Sequence, residues 1–230
     1  SETAVEVVLR YLKEQWSPRR SSDGANFAQA LESATDVANT SIYRHATEHP
    51  ELRGMGTTAT IAGLMGDTLY LAQVGDSRAY LVRNGHARQI TKDQSLMQKL
   101  VEAGEITEEE AEISERRNII LQALGPEPRI KVDLTSQQVM AGDVLILCSD
   151  GLSGQVRAHE IAEVVNTEPD LMEVCKKLID LANEAGGPDN ITVVAARFEG
   201  DGLVVSDAET VQHRVYRGSD ARPTMPIDLR

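Results

Sequence analysis

Aromatic residues are scarce in this chain: two Phe, one Trp and five Tyr make up 3% of its 230 residues. Its core must therefore rest on Leu, Ile, Val and Ala. Cysteine is as rare, with Cys148 and Cys175 alone, too few for a disulfide framework. One falls in an apolar run and the other on an apolar helix face, so both read as reduced core residues of a reducing compartment. No apolar stretch is long enough to span a bilayer, and no signal-peptide pattern opens the chain at Ser1. Lys and Arg are outnumbered by Asp and Glu, 23 to 36, for a net charge of -13. That balance argues against the basic patches that nucleic acid or an anionic membrane surface requires. It suits a protein that concentrates divalent cations. Walker A, Gly-x-Gly-x-x-Gly and Gly-x-Ser-x-Gly patterns are all missing. These absences leave a soluble, cytoplasmic protein as the expectation, and its length allows one large domain.

The apolar residues that are present change period along the chain. Val5, Val8, Leu9 and Leu12 predict one face of a first helix, and Phe27, Leu31, Ala34, Ala38 and Ile42 the buried face of a second, ending before Pro50. From Gly54 onward the period shortens. Segments 58–64, 69–74, 78–83 and 86–90 read as strands, with Gly66-Asp67 and Asn84-Gly85 as tight turns. Residues 93–113 return to charged helical sequence, and the run Glu108-Glu109-Glu110 reads as a solvated face. Strands resume at about 130–139 and 144–148, helices at about 157–166 and 169–185, and a last strand at 190–198. Hairpin strands among amphipathic helices predict a sandwich of sheet and helix rather than a doubly wound parallel sheet. The division expected is a folded domain over 1–199 and a tail or linker over 200–230, where the apolar period fades.

Short acidic turns carry the chemistry. Asp150 follows the apolar run Val144-Leu145-Ile146-Leu147-Cys148 directly, and Asp189 in Gly187-Pro188-Asp189-Asn190 precedes Ile191-Thr192-Val193-Val194. Each sets a carboxylate where a strand meets a turn. Such a group wants a metal, an Arg or water, although a helix cap or an ordinary turn accounts for an Asp there equally well. Asp76 in Gly75-Asp76-Ser77-Arg78 is a third candidate, with Arg78 as a possible pairing partner. His45-Ala46-Thr47-Glu48-His49 matches the His-x-x-Glu-His zinc-peptidase pattern. Pro50 follows at once and disfavours a helical His49, so an exposed helix end is expected instead.

Four turns occur in order: Gly54-Met55-Gly56-Thr57-Thr58, Val74-Gly75-Asp76-Ser77-Arg78, Cys148-Ser149-Asp150-Gly151-Leu152 and Gly187-Pro188-Asp189-Asn190-Ile191-Thr192. The segment Arg117-Asn118-Ile119-Ile120-Leu121-Gln122-Ala123-Leu124-Gly125 lies between the second and third. This succession resembles the metal-dependent Ser/Thr protein phosphatases of the type 2C (PPM) family in their bacterial form, over about residues 1–198. The resemblance implies an α+β fold, an αββα sandwich of two antiparallel sheets flanked by helices, with a metal cleft at one end. It implies two Mn²⁺ or Mg²⁺ ions, with a third in bacterial relatives, activating water for hydrolysis of phosphoserine and phosphothreonine on proteins. By motif match Asp150 and Asp189 would be ligands, with Asp76 and Asp150 serving the additional site. Gly54, Gly56 and Thr57 would shape the strand behind the cleft, Asn190 would orient the Asp189 turn, and 93–113 would be a flap beside it. Phosphoproteins and a cognate Ser/Thr kinase are the implied partners. The family's opening strands, with a phosphate-binding Arg and an Asp-Gly turn, should precede the first helix, and Ser1-Glu2-Thr3 begins just after that turn. Part of the metal site is thus expected outside this sequence. A non-catalytic, phosphatase-like docking domain is the alternative from another class.

Overall fold

The computed structural model describes residues 1–16, 23–114, 116–204 and 213–216. One antiparallel sheet has the order β1 (Ala59–Met65), β2 (Thr68–Val74), β5 (Asp133–Gln138), β8 (His213–Tyr216). The other has the order β4 (His86–Gln89), β3 (Arg78–Arg83), β6 (Val144–Cys148), β7 (Val193–Arg197). Helices α1 (Glu2–Gln15) and α2 (Gly24–Glu48) cover the first sheet. Helices α5 (Asp150–Ser153), α6 (Ala158–Thr167) and α7 (Leu171–Glu184) cover the second. Two short helices, α3 (Leu96–Glu102) and α4 (Glu108–Ile113), belong to the segment between β4 and β5.

Alternation along the central strands dictates this layering. Successive strand residues point to opposite faces, and in β2 Leu69 and Leu71 join the cluster between the sheets while Tyr70, Ala72 and Val74 pack toward α1 and α2. In β3, Ala79 and Leu81 face inward and Tyr80 and Val82 outward. β6 does the same with Leu145 inward and Val144, Ile146 and Cys148 outward toward α5, α6 and α7. Each buried Leu contributes roughly 1.5–3 kcal/mol on leaving water. Both faces of these strands are buried, so a one-residue slip would exchange every inward side chain for an outward one. The β3–β4 turn uses Asn84 (φ 48) and Gly85 (φ 84), the paired left-handed conformation of a two-residue hairpin.

Several elements differ from the sequence reading. The buried stripe of α1 is Ala4, Val7 and Val8, whereas Val5 and Leu9 are 58% and 50% exposed. The helix is rotated because Ala34 and Ala38 of α2 admit a close approach along the Ala4 side. The helical segment 93–113 is divided into two short helices, each with its own side-chain cap, at Ser95 and Thr107. The expected tail 200–230 contains a strand, β8, paired with β5 from Leu134↔Tyr216 to Gln137↔His213. Four residues without an apolar period gave no signal for it. The remainder of 205–230 lies outside the described residues. No helix among the described residues is long and apolar enough to cross a membrane.

At the end of β3 far from Arg78, Arg83 and Asp143 form a bidentate ion pair, Nε to Oδ1 at 2.8 Å and Nη2 to Oδ2 at 2.6 Å. Their side chains are 4% and 2% exposed. The Gln138 carbonyl accepts from Arg83 at 3.0 Å, and the Met140 amide donates to Asp143 at 2.8 Å, so the buried charges are well satisfied. Asp143→Ala would leave the guanidinium buried without its counter-charge. The expected loss is about 3–5 kcal/mol of unfolding free energy in urea titration. A loss below about 1 kcal/mol, the range of an exposed pair, would contradict this account.

Candidate metal centre and phosphate cleft

Strand register builds the site. Arg78 lies opposite Cys148 in the β3–β6 ladder, so extending each strand by two residues brings Asp76 opposite Asp150. Both line a cleft of about 210 Å³ together with Arg78, Asp93, Glu108, Arg117 and Arg157. The β6–β7 ladder, with Cys148 opposite Val193, carries the Asp189 turn alongside. Ser149 stitches the two turns together. Its amide donates to the Thr192 carbonyl (3.1 Å), its hydroxyl donates to the Asn190 carbonyl (3.0 Å) and accepts from the Thr192 amide (3.0 Å). A Cβ on Gly151 would lie 2.4 Å from the Asn190 oxygen. Only glycine lets the Asp150 turn sit this close to its neighbour.

The Asp76 turn is clamped from beneath by two buried glutamines that sequence reasoning missed. Gln94 accepts from the Gly75 backbone amide through Oε1, and the Gln94 backbone amide donates to the Gly75 carbonyl, both at 2.9 Å. Gln73 donates through Nε2 to the carbonyls of Ser77 (2.7 Å) and Gly75 (3.1 Å), and accepts from the Thr60 hydroxyl at 2.6 Å. Gly75 has φ 101, and a Cβ there would strike Thr58 at 2.4 Å. An alternation pattern flags buried apolar side chains, so a buried glutamine within a strand leaves little trace in the sequence.

Arg78 pairs with Asp93 rather than with Asp76. Its Nε lies 3.0 Å from both carboxylate oxygens and its Nη2 2.7 Å from Oδ2. Gln89 also donates to Asp93, at 2.9 Å. The flap supplies another wall. Ser95, Met97, Gln98 and Val101 of the α3 region and Glu108 and Ala111 of α4 all line the cleft. The acidic run is therefore divided in use: Glu108 faces the cleft, and Glu110 closes a capping box with Thr107. Thr57 exchanges hydrogen bonds with Leu124 at 3.0 and 2.8 Å, fixing the entry to β1 against the segment 117–125.

Asp189 lies on the adjacent turn, exposed and outside the lining of the cleft, with its Oδ1 accepting from the Asn190 amide at 2.7 Å. Asn190 holds that turn through its backbone. The structure thus brings Asp76 and Asp150 into one cleft and leaves Asp189 outside its lining, on the turn that Ser149 ties to the Asp150 turn. His45 and His49 stand at the end of α2, which stops at Glu48, with ring centroids 4.3 Å apart. Among the described residues no three His, Cys, Asp or Glu side chains gather as a metal cluster, so the zinc pattern finds no third ligand.

Electrostatics mark the Asp76 position. Burial is the largest influence on its carboxyl and the nearby charges of Asp150 and Asp93 add to it, raising its pKa from 3.8 to about 6. Its own backbone hydrogen bond and Arg78 oppose the rise. Cys148, by contrast, has its thiol pushed up to about 12 by burial and is inert. Two carboxylates facing each other across a polar cleft fit a hard divalent cation that retains several waters. A cation there would offset the burial and the neighbouring charges that lift Asp76.

The sequence profile of the protein phosphatase 2C family matches residues 5–125, more than half of the chain. The serine/threonine protein phosphatase PstP of Mycobacterium tuberculosis is 42% identical over 174 residues, covering 75% of this chain and 33% of that protein. The chain thus spans about a third of the length of PstP. The serine/threonine phosphatase stp of Listeria innocua is 37% identical over 194 residues, covering 84% of this chain and 77% of that one. Among solved structures, the catalytic domain of PstP in complex with two manganese ions superposes with a TM-score of 0.73 at 38% identity, covering 87% of this chain and 82% of that one. The chain belongs to the protein phosphatase 2C family, with the αββα sandwich that the sequence implied.

Two outcomes follow from the geometry. Because the folded-state pKa of Asp76 is raised, the metal-free native state holds its proton more tightly than the unfolded chain. The Asp76 contribution to stability therefore falls as pH rises from about 4 to about 6 and stays lost above. Asp76→Asn should stabilise the metal-free chain at pH 7–8 by about 1–2 kcal/mol, after allowance for solvent screening. The check is thermal or urea unfolding in EDTA at pH 4 and pH 8, and equal effects at both pH values would refute the assignment. Gly151→Ala should separate the two turns, lowering stability by about 1–3 kcal/mol and weakening divalent-cation binding measured by calorimetry.

Proposed function

We propose that this chain provides the chemistry of a Ser/Thr phosphoprotein phosphatase, with Asp76, Asp150 and Asp189 as ligands for Mn²⁺ or Mg²⁺. The observation that carries the reading is the pairing of Asp76 with Asp150 across the cleft, in a member of the protein phosphatase 2C family. Bound divalent cations would neutralise phosphate charge and acidify a water nucleophile. The chain's own residues account for binding and orientation. Gln73 and Gln94 hold the Asp76 turn, and Ser149 ties the backbone of the Asp150 turn to that of the Asp189 turn. Arg78 neutralises Asp93, which leaves Asp76 and Asp150 as the carboxylates directed at a cation. Arg117 and Arg157 line the same cleft and match a phosphoryl group in charge and fork geometry. The flap wall, with Met97, Val101 and Ala111 beside Gln98 and Glu108, gives an amphipathic surface for the peptide around the phosphate.

The substrate class is a phosphorylated protein segment, and the antagonist is a Ser/Thr kinase acting on the same proteins. A reducing, cytoplasmic setting agrees with Cys148 and Cys175, both free thiols. The test is phosphate release from a phosphothreonine peptide with Mn²⁺, with EDTA, and with Asp150→Asn. Turnover should require Mn²⁺ and fall roughly a hundredfold or more in Asp150→Asn, exceeding the usual cost of losing a residue that only supports a ligand. Turnover insensitive to EDTA would reject the reading. Absence of turnover alongside retained phosphoprotein binding would assign the chain as a docking domain instead.

A further inference from the structure

A second groove, of about 540 Å³, runs between α1 and α2 and shares no lining residue with the catalytic cleft. Thr3, Val7 and Arg10 of α1 form one wall at i, i+4 and i+7, and Val37, Thr40, Ser41, Arg44 and Glu48 of α2 form the other, with His45 at its edge. These spacings put each set on a single helix face. Val7 is buried at the floor, and Val37 is 41% exposed. The charge of this groove is opposite to that of the molecule. Two arginines and a histidine face one glutamate, in a chain whose net charge is -13. Among the described residues neither Arg10 nor Arg44 has an ion-pair partner, although Glu48 follows Arg44 by one helical turn. The Thr40 hydroxyl is engaged by the Asp36 carbonyl at 3.0 Å, whereas the Ser41 and Thr3 hydroxyls make no hydrogen bond among the described residues. The basic groove also absorbs the His45–Glu48 motif that found no metal.

We propose that the α1–α2 groove is a docking site for a phosphorylated Ser/Thr segment of a partner protein, separate from the cleft that would hydrolyse the phosphate. The proposal rests on the reading above that phosphoproteins are the substrates. Two guanidinium forks and a free hydroxyl donor are the groups that phosphate oxygens accept from best. Val7 and Val37 offer an apolar strip for the methylene or methyl of the phosphorylated residue. The cations of the groove are few and the chain as a whole carries a net charge of -13, so an extended polyanion or an anionic bilayer would meet repulsion around it. A single phosphoryl group on a peptide meets two arginines against the one glutamate of the groove. Docking a phosphosegment here would hold a multiply phosphorylated protein near the cleft and raise the effective concentration of its other phosphates.

The test is NMR titration of the full ¹⁵N-labelled chain in EDTA, where hydrolysis is stopped, with a phosphothreonine peptide and its unphosphorylated twin. Shifts should centre on Val7, Arg10, Ser41 and Arg44 and appear with the phosphorylated peptide only. Arg10→Gln/Arg44→Gln should weaken this binding at least about tenfold, while Mn²⁺-dependent turnover of a small phosphate ester stays unchanged. Shifts confined to the cleft, equal binding of the unphosphorylated peptide, or full affinity in the double variant would each overturn the proposal. Binding of inorganic phosphate as tight as that of the peptide, or preferential binding of phosphatidylserine vesicles, would overturn it in favour of a simple anion or a membrane surface. Failure of catalysis is read separately in the Mn²⁺ assay and leaves the binding arm intact.

Discussion

Everything at the candidate site depends on two carboxylates being held face to face against their mutual repulsion. The β3–β6 register sets this arrangement, because Asp76 and Asp150 are the residues that follow from continuing that ladder past Arg78 and Cys148. Repulsion alone would push the turns apart. The ladder resists because slipping it would expose Leu81, Leu145 and Ile146, each at most 4% exposed in the native packing. Gln73 and Gln94 on one side and Ser149 on the other then fix the turns locally through hydrogen bonds shielded from water. The hydrophobic sandwich thus holds a buried carboxylate close to other acidic groups at its open end, where a divalent cation would offset both burial and repulsion.

The cleft and the α1–α2 groove divide the molecule's charge between them. Four acidic side chains and three arginines line the cleft, whereas the groove holds two arginines, with no ion-pair partner among the described residues, against one glutamate. Among the cleft arginines Arg78 is engaged, since its bidentate pairing with Asp93 removes one negative charge from the cleft. That economy matters in a site where four acidic side chains, Asp76, Asp93, Glu108 and Asp150, line one small volume.

The strands, their hairpins and the two-sheet architecture were legible because apolar alternation and Asn84-Gly85 are local signals of non-local structure. Asp76 and Asp150 were legible because each interrupts or ends an apolar run. Their partnership required a family resemblance, since no local pattern states which strand ends share a face. The Asp93 pairing was hidden for a related reason: Arg78 has an Asp two residues before it in sequence, and the structure prefers one that arrives fifteen residues later. Gln73 was invisible because a polar residue in a strand ordinarily signals solvent, and Gln94 because a polar residue in the loop before α3 does so too. The rotation of α1 was misread because Val5 and Leu9 carry more hydrophobicity than Ala4, yet the small side chain permits the closer helix contact. β8 carried no pattern at all, because it joins the sheet through backbone pairing with β5.

The buried Arg83–Asp143 pair sits at one end of β3 and β6, and the opposed carboxylates sit at the other. These two strands therefore behave like the arms of a peg, sprung shut at the hinge and pressed open at the jaws. Their backbones share one ladder, with Val82 and Val144 beside the ion pair and Arg78 and Cys148 nearest the opposed carboxylates. A cation between the jaws would add a shared partner to turns that Gln73, Gln94 and Ser149 already hold.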